Sequence, residues 1–186
     1  DCSKVSDGAS SIAILSEEGL QACGLTKDQA IEVVAWSQVE EDITKPPQDL
    51  TSLTTIRTAV ALALDRAGIT MAQIGTVETH DCFTVAGLLG VEAMGLAEPG
   101  EGADFILQGN TARDGVIPFN TTGGLIGWGH PTGATGVHQA VTIWEQLTGK
   151  AGKAQIEIKK DRPYGMSVNM GGDDKTIVVV IYKQAT

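Results

Sequence analysis

"GGLIGWGHPTGATG", residues Gly123–Gly136, sets one histidine and one proline among six glycines, directly upstream of a stretch with helical spacing. Glycine loses more conformational freedom on folding than any other residue, so this density marks close backbone approach or unusual dihedrals. Two readings are open: a flexible loop that contains a histidine, or a rigid turn that presents His130 to a ligand. Gly129, Gly133 and Gly136 leave room beside the ring, and Pro131 is well placed to open the helix that follows. An imidazole there can act as a base toward a thiol or donate to a developing oxyanion. His138, one turn into that helix, reads as structural or surface-facing.

Outward from this turn the chain alternates. Ser10–Leu15 (SSIAIL) is a short strand candidate, followed by a brief helix ending at Gly24, and Ile31–Trp36 is a second, β-branched strand. Glu40–Asp49, charged and with two prolines, is a surface connection. Leu53, Ile56, Val60, Ala63, Leu64 and Ala67 recur at helical spacing, with Thr51 or Ser52 as cap and Gly68 as stop. Gly75–Asp81 is a strand with a polar end, and Cys82–Leu96 reads as a helix. Val116–Phe119 is a further short strand after a turn-rich excursion, and Ala134–Leu147 is helical. Tyr164–Asn169 and Thr176–Lys183 are strands joined by MGGDD, a connection suited to an antiparallel pair. From Ile31 the order is β-α-β-α-β-α-β-β. It predicts an α/β fold with a mostly parallel five-stranded sheet covered by helices and closed by an antiparallel addition. Ligands of such sheets collect at the carboxyl ends of the strands, where THDC and NMGG would lie.

Composition narrows the function classes. At 186 residues with 42% hydrophobic content, the chain is that of an ordinary globular protein with one good core. The longest apolar run, Ile177–Tyr182, is far short of the roughly 20 residues that span a bilayer. The net charge of −10, with no basic cluster beyond Lys159–Lys160, argues against nucleic acid as a partner. It leaves room for one local anion site. Cys2, Cys23 and Cys82 are odd in number and lack metal-ligand spacing, so free thiols in a reducing compartment are expected, and no metal. The opening residues have neither the basic start nor the apolar core of a signal peptide. YKQAT at the end carries no peroxisomal tripeptide, so a cytoplasmic location is expected. The start at Asp1, without methionine, suggests less than a whole gene product.

Two further motifs carry chemistry. In HDCF (His80–Phe83) a cysteine in the first turn of a helix would feel the positive helix end, which favours its thiolate. His80 can add a charge or a hydrogen bond, whereas Asp81 opposes ionisation. The plainer reading is a helix capped by Asp81 with Cys82 packed beneath. In NMGG (Asn169–Gly172) the Gly171 N–H can face an oxyanion, or the glycine can simply serve a hairpin.

HDCF, GGLIGWGHPTGATG and NMGGDDKTIVVVIYK, in this order and at these separations, resemble the C-terminal half of thiolases, most nearly the sterol-carrier-protein type. DCSKVSDGASSIAILSEE resembles the segment with which thiolases finish their N-terminal half. The resemblance covers essentially the whole chain. It implies a thiolase-like half, with residues 1–28 as the end of the N-terminal half and its connection, and 29–186 as the C-terminal domain.

The resemblance also implies chemistry. Thiolases cleave 3-ketoacyl-CoA with free CoA, or run the reverse Claisen condensation, through an acyl-cysteine. His130 would activate the nucleophilic cysteine and help bind the thioester oxygen. The family's usual second cysteine, in a C-x-G triplet, is replaced here by Asn169-Met170-Gly171, and Cys82 would take its acid/base role at the substrate α-carbon. His80 would support one oxyanion hole and the Gly171 N–H the other. Neither Cys2 nor Cys23 matches the nucleophile motif. The nucleophile and most of the loop domain that binds CoA are therefore expected on an N-terminal half outside this chain, which alone would be inactive. Acyl-CoA and CoA would be substrates, with no covalently bound cofactor, in a homodimer or tetramer. Two alternatives stand beside this: an aldolase of the same fold acting on CoA esters, in which tyrosine stands at the position of Cys82, and a non-catalytic CoA-ester-binding or assembly subunit.

Overall fold

The computed structural model describes residues 1–47 and 49–186. After an extended N-terminal segment come a short helix α1 (Glu17–Ala22), strand β1 (Ile31–Glu40) and helix α2 (Thr54–Ala67). Strand β2 (Ile74–Thr79) leads through His80–Phe83 into α3 (Thr84–Ala93), and α4 (Gly102–Leu107) follows. The glycine-rich turn holds α5 (Gly124–Trp128) and runs into α6 (Thr135–Leu147). The chain ends in β3 (Tyr164–Gly171) and β4 (Thr176–Gln184).

The fold is α/β, as expected, but among the described residues its sheet has four strands, in the order β1-β4-β3-β2. Only β2 and β3 are parallel, while β4 runs antiparallel to both β1 and β3. The expected fifth strand, Val116–Phe119, shrinks to a single parallel bridge between Val77 and Phe119. Pro118 sits in its middle and has no N–H to donate, so pairing stops at the bonds Val77 N–H to Pro118 O and Asn120 N–H to Val77 O. Ser10–Leu15 forms no strand either; it has no regular structure and is exposed from Ser11 on.

Helices cover the sheet on two faces. β4 alternates: Ile177, Val179 and Ile181 join Ile56, Ala59, Val60 and Ala63 of α2 in the main core, whereas Val180 and Tyr182 pack with Ala140, Ile143 and Leu147 of α6. A strand buried on both faces reads as a continuous apolar run, which explains Ile177–Tyr182. On the α6 side the approach is so close that a Cβ on Gly165 of β3 would stand 2.5 Å from Ile143 Cγ2. The β3–β4 turn also reaches α2. The Asp174 carboxylate accepts from the Thr55 and Ile56 amides at 2.8 and 3.0 Å and caps the helix in place of Thr51 or Ser52.

Candidate active site

Pairing Thr79 with Val168 sets the carboxyl ends of β2 and β3 side by side, so His80 and Asn169 emerge together. The Asn169 amide lies 3.4 Å from Nδ1 of His80 and 3.2 Å from Oε1 of Gln139 on α6. An amide nitrogen only donates, so Nδ1 of His80 accepts and the ring proton resides on Nε2. His80 is buried, and that burial, with His130 nearby, pushes its pKa down to about 4. It is a neutral N–H donor near pH 7.

The glycine-rich turn is pinned at its start by side-chain hydrogen bonds, which favours the second reading of the sequence. The Asn120 side chain pairs with Thr79 as a strand would: its Oδ1 accepts from the Thr79 amide at 2.8 Å and its Nδ2 donates to the Thr79 carbonyl at 3.2 Å. Asp81 then caps α5, accepting from the Leu125 amide at 2.7 Å. Gly124, at φ +60°, lies against the Asp81 carboxylate and the Asn120 amide, where any side chain would clash. The turn thereby delivers His130 against His80, ring centroids 4.7 Å apart and planes at 89°. Its Nδ1 is 2.7 Å from Thr135 Oγ1 on α6, and burial lowers its pKa against the opposing pull of Asp81.

Cys82 follows His80 in the same loop but does not open α3. Phe83 is extended at φ −124° and the helix begins at Thr84. The cause is tertiary: residues 1–3 pair with this loop through a Cys2–Phe83 bridge and a 2.7 Å bond from the Ser3 amide to the Cys82 carbonyl. The expected helix-end activation is therefore missing. Burial pushes the Cys82 thiol up, and the neighbouring Cys2 and Asp81 add to the shift. Gly171 ends β3, exposed and paired with Thr176, on the strand face that Asn169 shares. His80 thus touches both His130 and Asn169, with Cys82 and Gly171 two residues along from His80 and Asn169.

Sequence reasoning passed over Asn120, Thr135, the Asn169 side chain and Glu78. Glu78 left the clearest signal, an acid in a strand buried along its whole length. The residue is 4% exposed, and burial, reinforced by Asp81, pushes its pKa up to about 8 despite a bond from the Thr121 amide. Its Oε1 and Nε2 of His138 are buried without a partner among the described residues, and both residues line a cleft of about 190 Å³ behind the histidine turn. Among the described residues no His, Cys, Asp and Glu side chains are grouped to hold a metal, and no helix is long and apolar enough to cross a membrane.

Residues 37–184 match the thiolase C-terminal domain-like family. Acetyl-CoA acetyltransferase of Methanothermobacter thermautotrophicus is 37% identical over 99% of this chain and 47% of its own length. Sterol carrier protein 2 of Homo sapiens is 34% identical over 98% of this chain and 33% of its own. The chain therefore spans less than half the length of these curated relatives. A monomeric SCP2-thiolase like protein type 1 from Mycobacterium smegmatis shares the fold, with a TM-score of 0.65 and 18% identity over 91% of this chain and 32% of that one. On this match and on the fold, the chain belongs to the thiolase C-terminal domain-like family.

Proposed function

We propose that this chain is the C-terminal part of a thiolase-type acyltransferase acting on 3-ketoacyl-CoA, with residues 1–28 finishing an N-terminal half that carries the nucleophilic cysteine. The observation that carries this reading is the edge contact of His80 and His130 at the carboxyl end of β2, each ring with a polar partner on its Nδ1. One imidazole is held as a donor and the other stands ready as a base.

In the thiolytic direction His130 takes the proton of the nucleophilic thiol, whose sulfur attacks the 3-keto carbon. The bond between C2 and C3 breaks, and Cys82 protonates C2 of the departing acetyl-CoA. A thiol held up by burial starts in the protonated form that this step needs. The incoming CoA thiol returns a proton to Cys82, its sulfur takes the acyl group, and the released nucleophilic thiolate regains its proton from His130. Nε2–H of His80 supports the thioester oxygen, and the Gly171 N–H supports the tetrahedral oxyanion. Acyl-CoA and CoA are substrates; the assembly is a homodimer or tetramer. The three free cysteines fit a reducing, cytoplasmic setting.

Intact-mass analysis after brief incubation with acetoacetyl-CoA tests the division of labour. The expected result is no acetyl adduct on this chain and an acetyl adduct on a companion N-terminal half or on the full-length protein. An adduct on Cys82 would make that thiol the nucleophile and overturn its acid/base role. Cleavage of a branched 3-hydroxyacyl-CoA without any acyl-enzyme would favour the aldolase alternative.

A further inference from the structure

Among the described residues His130 meets the interior through one polar contact, Nδ1 at 2.7 Å from the hydroxyl of Thr135. Thr135 is 4% exposed in the first turn of α6, so its hydroxyl has no bulk water to turn to. The same oxygen lies 3.2 Å from the carbonyl of Pro131, four residues earlier. That is the back-bond helical threonines make to the preceding turn, and it uses the hydroxyl's one proton. With the proton so directed, Oγ1 accepts from Nδ1. The reverse arrangement, the hydroxyl donating to Nδ1 while the Pro131 carbonyl keeps its bonds from the Ala134 and Thr135 amides, is the outcome the measurement below distinguishes. The bond made by one ring nitrogen decides the state of the other. We infer that Thr135 is a positioning residue that accepts a hydrogen bond from Nδ1–H of His130 and thereby keeps Nε2 as the unprotonated, basic atom of the ring.

His80 makes the contrast. Asn169 donates to its Nδ1, so the two touching imidazoles hold opposite tautomers, His80 with Nε2–H and His130 with a free Nε2. The tautomer stands on the geometry alone; its catalytic meaning rests on the acyl-transfer reading, in which a base must hold a lone pair toward the nucleophilic thiol. When Nε2 takes that proton, the Nδ1–H already has its acceptor and nothing near the ring has to reorganise.

The sequence has three histidines, so long-range ¹H–¹⁵N correlation of their side-chain nitrogens is simple to resolve in the ¹⁵N-labelled chain. His80→Gln and His138→Gln assign the signals. At pH 7.5 to 8 the expected pattern is Nδ1–H for His130 and Nε2–H for His80. Thr135→Ser should keep it, and Thr135→Val should abolish the His130 preference while leaving His80 unchanged. A wild-type His130 carrying its proton on Nε2 overturns the inference without any variant, so a misfolded Thr135→Val cannot shelter it. An unchanged tautomer in folded Thr135→Val overturns it as well. In the full-length protein, Thr135→Val should lower kcat roughly tenfold or more with little change in KM. A wild type that transfers no acyl group would defeat the functional reading and leave the tautomer measurement standing.

Discussion

Glu78 lies inside a fully buried strand, two residues before His80, with Asp81 nearby and His138 across the cleft. In the folded chain it keeps its proton to about pH 8, whereas an unfolded glutamate releases it near 4.5. Between those values unfolding releases a proton, so rising pH favours the unfolded state by about 1.4 kcal/mol per unit. His80 works in the opposite sense: it titrates near 4 when folded and 6.5 when unfolded, so over that range unfolding takes up a proton and stability rises with pH. The two slopes oppose each other up to about 6.5, and above it only Glu78 of the pair still acts. Glu78→Gln should therefore gain on the wild type progressively from pH 5 to about 8 and hold a constant lead beyond. Urea denaturation at unit pH intervals reads this, and a pH-independent difference would contradict it. The residue types of the site were legible in HDCF and GHP; these titrations were not, because desolvation depends on what packs around a group.

At the scale of elements, α2 shows how a helix visible in the sequence can depend on a residue far from it. Its apolar spacing and Gly68 stop, at φ +65°, are local signals and were read correctly. Its cap is Asp174, over a hundred positions away, buried at φ +54° in the β3–β4 turn. Asp174→Ala would leave two amides of the first turn without their acceptor and should cost about 1–3 kcal/mol. For a chain of this size that is a drop of several degrees in Tm by calorimetry. Asp174→Asn, which tolerates the same left-handed dihedral and keeps one acceptor, should lose less. Equal melting of Asp174→Ala and wild type would show the cap to be idle. α3 errs the other way: HDCF suggests a helix from Cys82, but pairing with residues 1–3 pulls Phe83 into an extended conformation. The thiol loses its helix-end setting through a contact that no local pattern encodes.

For the whole molecule the exposed apolar side chains decide behaviour in solution. Phe83 at the site loop, Val85 on α3 and Trp128 on α5 are each at least half exposed, and Val5, Ile12 and Ile14 lie bare on the N-terminal segment. Under the proposed function this is surface that an N-terminal half would cover. The chain alone should therefore sediment above its 19.4 kDa monomer mass at micromolar concentration and bind a hydrophobic dye, both effects falling when that half is supplied. A monodisperse monomer without dye binding would contradict this. Strand order is likewise a property of the whole. Each of the four strands was recognisable in its own residues, yet the chain pattern suggested a mostly parallel sheet, because alternation with helices does not say which edge the closing hairpin joins. By itself the sequence determined the α/β class, the helices α2 and α6, the doubly buried β4 and the residues of the histidine turn, all of which follow from local spacing and backbone preference. Only the tertiary structure decided the strand directions, the cap on α2, the setting of Cys82 and the protonation of Glu78 and His80. Each of these is set by residues far apart in sequence, through hydrogen bonds and loss of water that arise only when they meet.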